Sequence, residues 1–176
     1  MTNADKLTEF ISEVALQARV SELGKQISAD YAEKNLLVIG ILKGSFIFMA
    51  DLVRAITQPV ELSFITLSSY HNASKSSGEV RLSCDVDMSI RGRDVLIVED
   101  IVDSGNTMSY LLKVLQIREP TSLKVCTLLD KPSRRQTPVS VEYCGFQVPD
   151  EFIVGYGLDY AGKYRNLRNI SAIKLN

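Results

Sequence analysis

The chain has 176 residues, with 20 lysines and arginines against 21 aspartates and glutamates, and a net charge of −1 excludes binding nucleic acid or an anionic membrane by bulk charge. Domains usually run about 100–200 residues, so a single domain over 1–176 is expected, and 45% hydrophobic with 23% charged residues excludes a disordered chain. Three scattered cysteines (Cys84, Cys126, Cys144) and one histidine, His71, fit neither zinc spacings nor a disulfide framework and point to a reducing, cytoplasmic setting.

The opening MTNADKLTEF lacks the basic start and apolar run of a signal peptide. Leu7, Phe10, Ile11, Val14 and Ala18, then Leu23, Ile27 and Tyr31, fall at helical spacing and predict two amphipathic helices or one bent one. LLVIGIL (Leu36–Leu42) reads as a strand buried on both faces, and it is far too short to cross a bilayer. Phe48, Met49, Leu52, Val53 and Ile56 return to helical spacing. Glu61–Leu67 is strand-like, and SSYHNASKSSGE (68–79) is small and polar, suited to a hairpin loop or a lid. Asp94–Val98 and Leu123–Leu129 read as strands, with Met108, Leu111, Leu112 and Leu115 marking a helix between them. Alternating strands and helices imply an α/β fold on a mostly parallel sheet, with ligands bound beyond the carboxyl ends of the strands.

The richest segment is VLIVEDIVDSGNTM (Val95–Met108). A buried strand runs out into Glu99 and Asp100, followed by two apolar residues, Asp103-Ser104-Gly105-Asn106-Thr107, and a helix. Backbone N–H groups at such a turn, helped by the hydroxyls of Ser104 and Thr107, suit a phosphate. Asp103 or Ser104 alone could be a plain N-cap, and an acidic pair after a strand is often a solvated loop. Three carboxylates crowding an anion-attracting turn make sense together if the ligand also brings metal or hydroxyl groups. There is no GxxxxGK[ST], and Gly155-Tyr-Gly157 does not continue as GxGxxG.

Four apolar residues, two acids, two apolar residues and Asp-Ser-Gly-x-Thr resemble the ribosyl-phosphate signature of the type I phosphoribosyltransferases. VPDEFIVGYGLDYAGKYRNL (Val148–Leu167) resembles the C-terminal segment of the hypoxanthine-guanine branch, a second and nearly independent match. The resemblance implies the family's fold: a twisted, mostly parallel sheet flanked by helices, with a small hood over the base site at about 148–168. It implies purine salvage, in which hypoxanthine or guanine plus phosphoribosyl pyrophosphate gives IMP or GMP plus pyrophosphate, with Mg2+ as cofactor. Glu99 and Asp100 would hold the ribose hydroxyls and magnesium, and Asp159 a second magnesium. Residues Asp103 to Thr107 would wrap the 5′-phosphate, with Asp103 also reaching the base as the catalytic residue. Asn106 stands where some relatives carry lysine, so phosphate binding would rest on N–H and hydroxyl donors.

Lys43 and Gly44, after the first buried strand, read alone as a turn with an exposed lysine; the resemblance assigns them to pyrophosphate, in a loop that often contains a non-proline cis peptide. It matches Ser69 and Tyr70 to a mobile lid over 68–79, which chemistry through a ribosyl cation-like state would require. His71 carries no catalytic role. Lys131 would donate to the purine 6-oxo group, Phe152 would stack on the base, the backbone at Ile153 would meet position 2, and Arg165 would contact pyrophosphate. Taken singly, Phe152 could be core, Asp159 a turn residue and Arg165 a surface ion pair. Family members form dimers or tetramers, so a homo-oligomer is expected, with no nucleic acid or membrane partner. Three other readings are weaker. A pyrimidine- or xanthine-specific relative is opposed, for pyrimidines, by Lys131 and Phe152. A nucleic-acid-binding regulator lacks a basic face, its clusters being pairs such as Arg134-Arg135. An inactive assembly partner would have lost an acid or Lys131.

Overall fold

The computed structural model describes residues 6–69 and 80–174. In chain order its elements are β1 (Lys6–Ile11), α1 (Glu13–Asp30), β2 (Leu36–Leu42), α2 (Phe46–Ala55), β3 (Glu61–Ser69), β4 (Val80–Cys84), β5 (Asp94–Val102), α3 (Asn106–Gln116), β6 (Ser122–Asp130), β7 (Tyr143–Gln147), β8 (Ile153–Val154) and β9 (Ile170–Lys174), with a 3-10 turn at Pro132–Arg134.

Six strands form the main sheet in the order β4-β3-β2-β5-β6-β7. All neighbours are parallel except β4, which runs antiparallel to β3 at the edge. Side chains alternate along each strand, so each central strand feeds two cores. Leu36 and Val38 of β2, with Leu96 and Val98 of β5, pack on the face covered by α1 and α2. Leu37, Ile39, Val95 and Ile97 pack on the other face, against Met108, Leu111 and Leu115 of α3. This explains the unbroken apolar runs in the sequence. A strand buried on both faces has no polar side.

A second, antiparallel sheet has the order β1-β9-β8. It joins the first described residues to the last, with Lys6 opposite Lys174 and Ile153 opposite Ala172. This corrects the expectation of two helices, or one bent helix, before residue 36: residues 6–11 are a strand, and one helix follows. Ser12 caps that helix, its hydroxyl accepting from Ala15 N–H at 3.3 Å. The buried stripe of α1 is Leu16, Val20, Leu23 and Ile27, while Val14 and Ala18 face solvent.

A second correction concerns β5. Glu99 and Asp100 do not follow the strand but lie inside it, because the ladder with β6 continues through Glu99–Thr127, Ile101–Leu129 and Val102–Asp130. The lid expected over 68–79 falls between antiparallel β3 and β4, and Tyr70, His71 and the rest of 70–79 lie outside the described residues. Among the described residues, no helix is long and apolar enough to cross a membrane.

Candidate active site

β2, β5 and β6 end along one edge of the main sheet and deliver the candidate residues to it. β5 passes Glu99 and Asp100 and leaves the sheet at Val102, whose carbonyl accepts from Lys131 N–H at 3.0 Å. Asp103 and Lys131 are therefore the first residues beyond two adjacent, parallel strands. The chain then turns at Gly105, whose φ of +83° favours glycine and where a Cβ would overlap the Thr137 carbonyl. The Ser104 carbonyl accepts from Gln136 N–H at 2.9 Å and Thr137 N–H at 3.0 Å, bracing the turn. α3 starts at Asn106, where no side chain caps it. The Asn106 side chain instead donates to Gln136 Oε1 and accepts from the Thr137 hydroxyl, turning it toward the 136–137 segment.

A cleft of about 190 Å³ runs along this stretch, lined by Glu99 to Gly105 with Thr107 and Met108. Burial, and then the charge of adjacent Asp100, push the Glu99 carboxyl well above its ordinary value. Its Oε1 accepts from Asp100 N–H at 3.1 Å. Asp103 Oδ1 is shut off from water and has no hydrogen-bond partner, although Arg134 Nε lies 2.8 Å away. The short contact places a guanidinium charge directly against this buried oxygen.

The loop after β2 meets the acids from the neighbouring strand. The Leu42–Lys43 peptide is cis, Lys43 is exposed, and a Cβ on Gly44 would fall within the Asp100 carboxylate. Only glycine lets this backbone lie against that acid. Buried Ser45 donates to the Ile41 carbonyl at 2.6 Å and steers the chain into α2.

On the other side, Lys131 is buried to 7% exposure and donates to the Glu151 carbonyl at 2.7 Å. Asp150 lies 3.8 Å from the same ammonium and also pairs with Arg134. Phe152 is half exposed and meets the Tyr160 ring edge-on at 5.4 Å. Ile153 is buried in β8. Asp159 and Arg165 pair with each other at 2.5 Å. Among the described residues, no group of three or more histidine, cysteine or acidic side chains could hold a metal unaided. Ser69 ends β3, and its side chain is outside the described set.

Residues 11–161 match the phosphoribosyl transferase domain family. The chain belongs to the phosphoribosyltransferase family. It is 53% identical over 169 residues to the hypoxanthine phosphoribosyltransferase of Haemophilus influenzae, covering 94% of each chain. It is 49% identical over 165 residues to the hypoxanthine-guanine phosphoribosyltransferase of Bacillus subtilis, covering 94% of this chain and 92% of that one. Among solved structures it resembles a Staphylococcus aureus hypoxanthine phosphoribosyltransferase at TM-score 0.92 and 43% identity, covering 99% and 97% of the two chains. A Bacillus anthracis hypoxanthine-guanine phosphoribosyltransferase aligns at TM-score 0.91 and 48% identity, over 97% and 100%.

Four residues that surround this phosphoribosyltransferase's candidate site were given no role from the sequence. Arg134 bridges Asp103 and Asp150, and Arg135 pairs with Asp130 while donating to the Asp103 carbonyl at 2.9 Å. Tyr160 backs Phe152. Gly157 packs on Gly44, where a Cβ would overlap its carbonyl. The local signal for the arginines is KPSRR, which sets Arg134 and Arg135 just past the end of β6.

Proposed function

We propose that the protein transfers the phosphoribosyl group of phosphoribosyl pyrophosphate to N9 of hypoxanthine and guanine, giving IMP or GMP and pyrophosphate. The observation that carries this reading is the placement of Asp103 and buried Lys131 side by side, as the first residues beyond the adjacent parallel strands β5 and β6. The Asp103 side chain is 43% exposed although its Oδ1 is buried against Arg134, so the rest of the carboxylate could accept from a purine N7–H. Lys131 has three donors and no acceptor, and the Glu151 carbonyl takes one, so its ammonium suits a 6-oxo group and opposes a 6-amino group. Phe152, braced by Tyr160, offers a face for the base. N9 would attack the anomeric carbon as the bond to pyrophosphate breaks, and Asp103 would accept the N7 proton that must leave as the nucleotide forms. Thr107, Ser104 and the N–H groups of the turn would hold the 5′-phosphate, and Lys43 would face the leaving group.

The donor set fits magnesium bound together with substrate. Glu99 and Asp100 are adjacent hard oxygen ligands against a glycine loop, and magnesium usually takes one or two carboxylates plus substrate phosphates rather than a protein cage. When bound, the ion would neutralise phosphate charge and orient the leaving oxygens. Asp159 could join only by giving up Arg165. That pair is partly buried, with Asp159 Oδ2 also accepting from Gly162 N–H and Arg165 also donating to the Gly157 carbonyl, so drawing Arg165 to pyrophosphate would need the charge of a polyanion.

The expected homo-oligomer has a candidate face. Phe46, Leu62 and Phe64 are each 42–44% exposed along a groove of α2 and β3, beside Leu42. A second copy would cover this apolar surface. The three free thiols suit a reducing cytoplasm.

Nucleotide formation tests the reading directly: phosphoribosyl pyrophosphate is supplied with hypoxanthine, guanine, xanthine, adenine or uracil, with and without magnesium. Magnesium-dependent IMP and GMP are expected, with little product from adenine or uracil. No product from any base would overturn the assignment.

A further inference from the structure

The segment carrying Phe152 also presses on the loop assigned to pyrophosphate. A Cβ on Gly157 would overlap the Gly44 carbonyl, and a Cβ on Gly44 would overlap Asp100. Gly157, Gly44 and Asp100 thus form a stack with no space for a methyl group. Its outer layer needs an unusual backbone: Gly155, Tyr156 and Gly157 have φ of +104°, +50° and +106°. Two of these are glycines. Tyr156 is not, and a bulky residue there must be held by its surroundings.

Its side chain supplies the hold. Tyr156 is 3% exposed, and its hydroxyl donates to Asp51 Oδ2 at 2.5 Å. Gln17 of α1 donates to the same oxygen at 3.1 Å, and Arg54 pairs with Oδ1. Partial burial pushes the Asp51 carboxyl up, but the hydrogen bonds from Tyr156, Gln17 and Arg54 outweigh it and hold the group below its ordinary value. Burial, and then donation to Asp51, raise the Tyr156 phenol, so it remains a donor at neutral pH. Asp51 sits on α2, the helix that begins directly after Lys43-Gly44-Ser45. One hydrogen bond therefore joins the helix that carries the loop to the segment that presses on it.

The base side is anchored separately. Ile173 N–H donates to the Phe152 carbonyl at 2.9 Å, Ile153 pairs with Ala172, and Lys131 holds the Glu151 carbonyl.

We propose that the Tyr156–Asp51 hydrogen bond is a positioning tether that keeps Gly157 against Gly44 and so sets the Lys43–Gly44 loop for pyrophosphate, leaving purine recognition to independently anchored residues. The inference rests on the function proposed above.

Three variants test it. Tyr156→Phe keeps the ring and deletes the donor, Asp51→Ala deletes the acceptor, and Asp51→Asn keeps an acceptor. Tyr156→Phe and Asp51→Ala are each expected to raise KM for phosphoribosyl pyrophosphate about five- to tenfold while moving KM for hypoxanthine less than about twofold. The double variant should be no worse than either single one, and Asp51→Asn should recover most of the loss. Calorimetric binding of phosphoribosyl pyrophosphate without a base should weaken in parallel. If the variants melt earlier but keep the parent KM, or weaken both substrates alike, the tether has no positioning role. Should Tyr156→Phe fail to fold, Asp51→Asn against Asp51→Ala makes the same comparison. A parent chain that makes no nucleotide overturns the function itself, and this inference with it.

Discussion

In the proposed reaction, Lys131 is the single residue that sets the choice of base. Its ammonium is buried against one carbonyl, so an incoming base must either accept from it or leave it short of partners. Lys131→Ala should lower kcat/KM for hypoxanthine on the order of 10²-fold or more and leave phosphoribosyl pyrophosphate binding within a few-fold. Equal losses on both substrates would remove Lys131 from base recognition. Glu99 carries the opposite burden, as a carboxylate desolvated beside a second acid. Its folded pKa is raised, so it favours the fold at pH values below its unfolded pKa, and that benefit is lost as pH climbs through the folded value. The charged form is therefore a liability, tolerated at a site proposed to need an oxygen ligand. Without magnesium, Glu99→Gln should melt a few degrees above the parent at pH 8, with the gap narrowing at pH 5, while turnover falls steeply. A variant that melts no higher than the parent at pH 8 would contradict this account.

Glycines set how closely the loops at the strand ends approach one another. Gly44→Ala would place a methyl group in the Asp100 carboxylate, with the stacked Gly157 preventing retreat. Far-UV circular dichroism should remain that of the parent while KM for phosphoribosyl pyrophosphate rises by at least about tenfold; a parent-like KM would show that the loop yields. The elements most legible in the sequence were those with a local cause. β2, β5 and β6 carry continuous apolar runs because both faces are covered, and α2 and α3 carry stripes that match one core each. The acidic strand end, the Asp103–Thr107 turn and Lys131 were legible for the same reason, since each is a short pattern at a strand end. β1 was misread because Leu7, Phe10 and Ile11 suit a helical stripe as well as a strand, and only pairing with distant β9 decides between them. Arg134, Tyr160 and Gly157 owe their places to partners in other elements, which no local pattern reveals.

At the scale of the whole molecule, the apolar face of α2 and β3 is next to the Leu42–Lys43 loop, so the proposed assembly face and the proposed pyrophosphate loop share a border. Phe64→Glu should shift sedimentation velocity from the oligomer to a monomer, because a buried unpaired charge opposes a second copy. An unchanged sedimentation coefficient would place the interface elsewhere. The small sheet links the molecule in a different way. Lys6 meets Lys174 across nearly the full described length, so β1 has no partner until β9 has been synthesised. Contacts of such separation form late and slowly, since a long loop must close before they repay its entropy. On a ribosome, the parallel sheet and its acidic turn can assemble while the base-side hood is still missing. The acidic turn and the proposed base-side segment would then mature at different times, and competence would wait for β9 to pair with both β1 and β8.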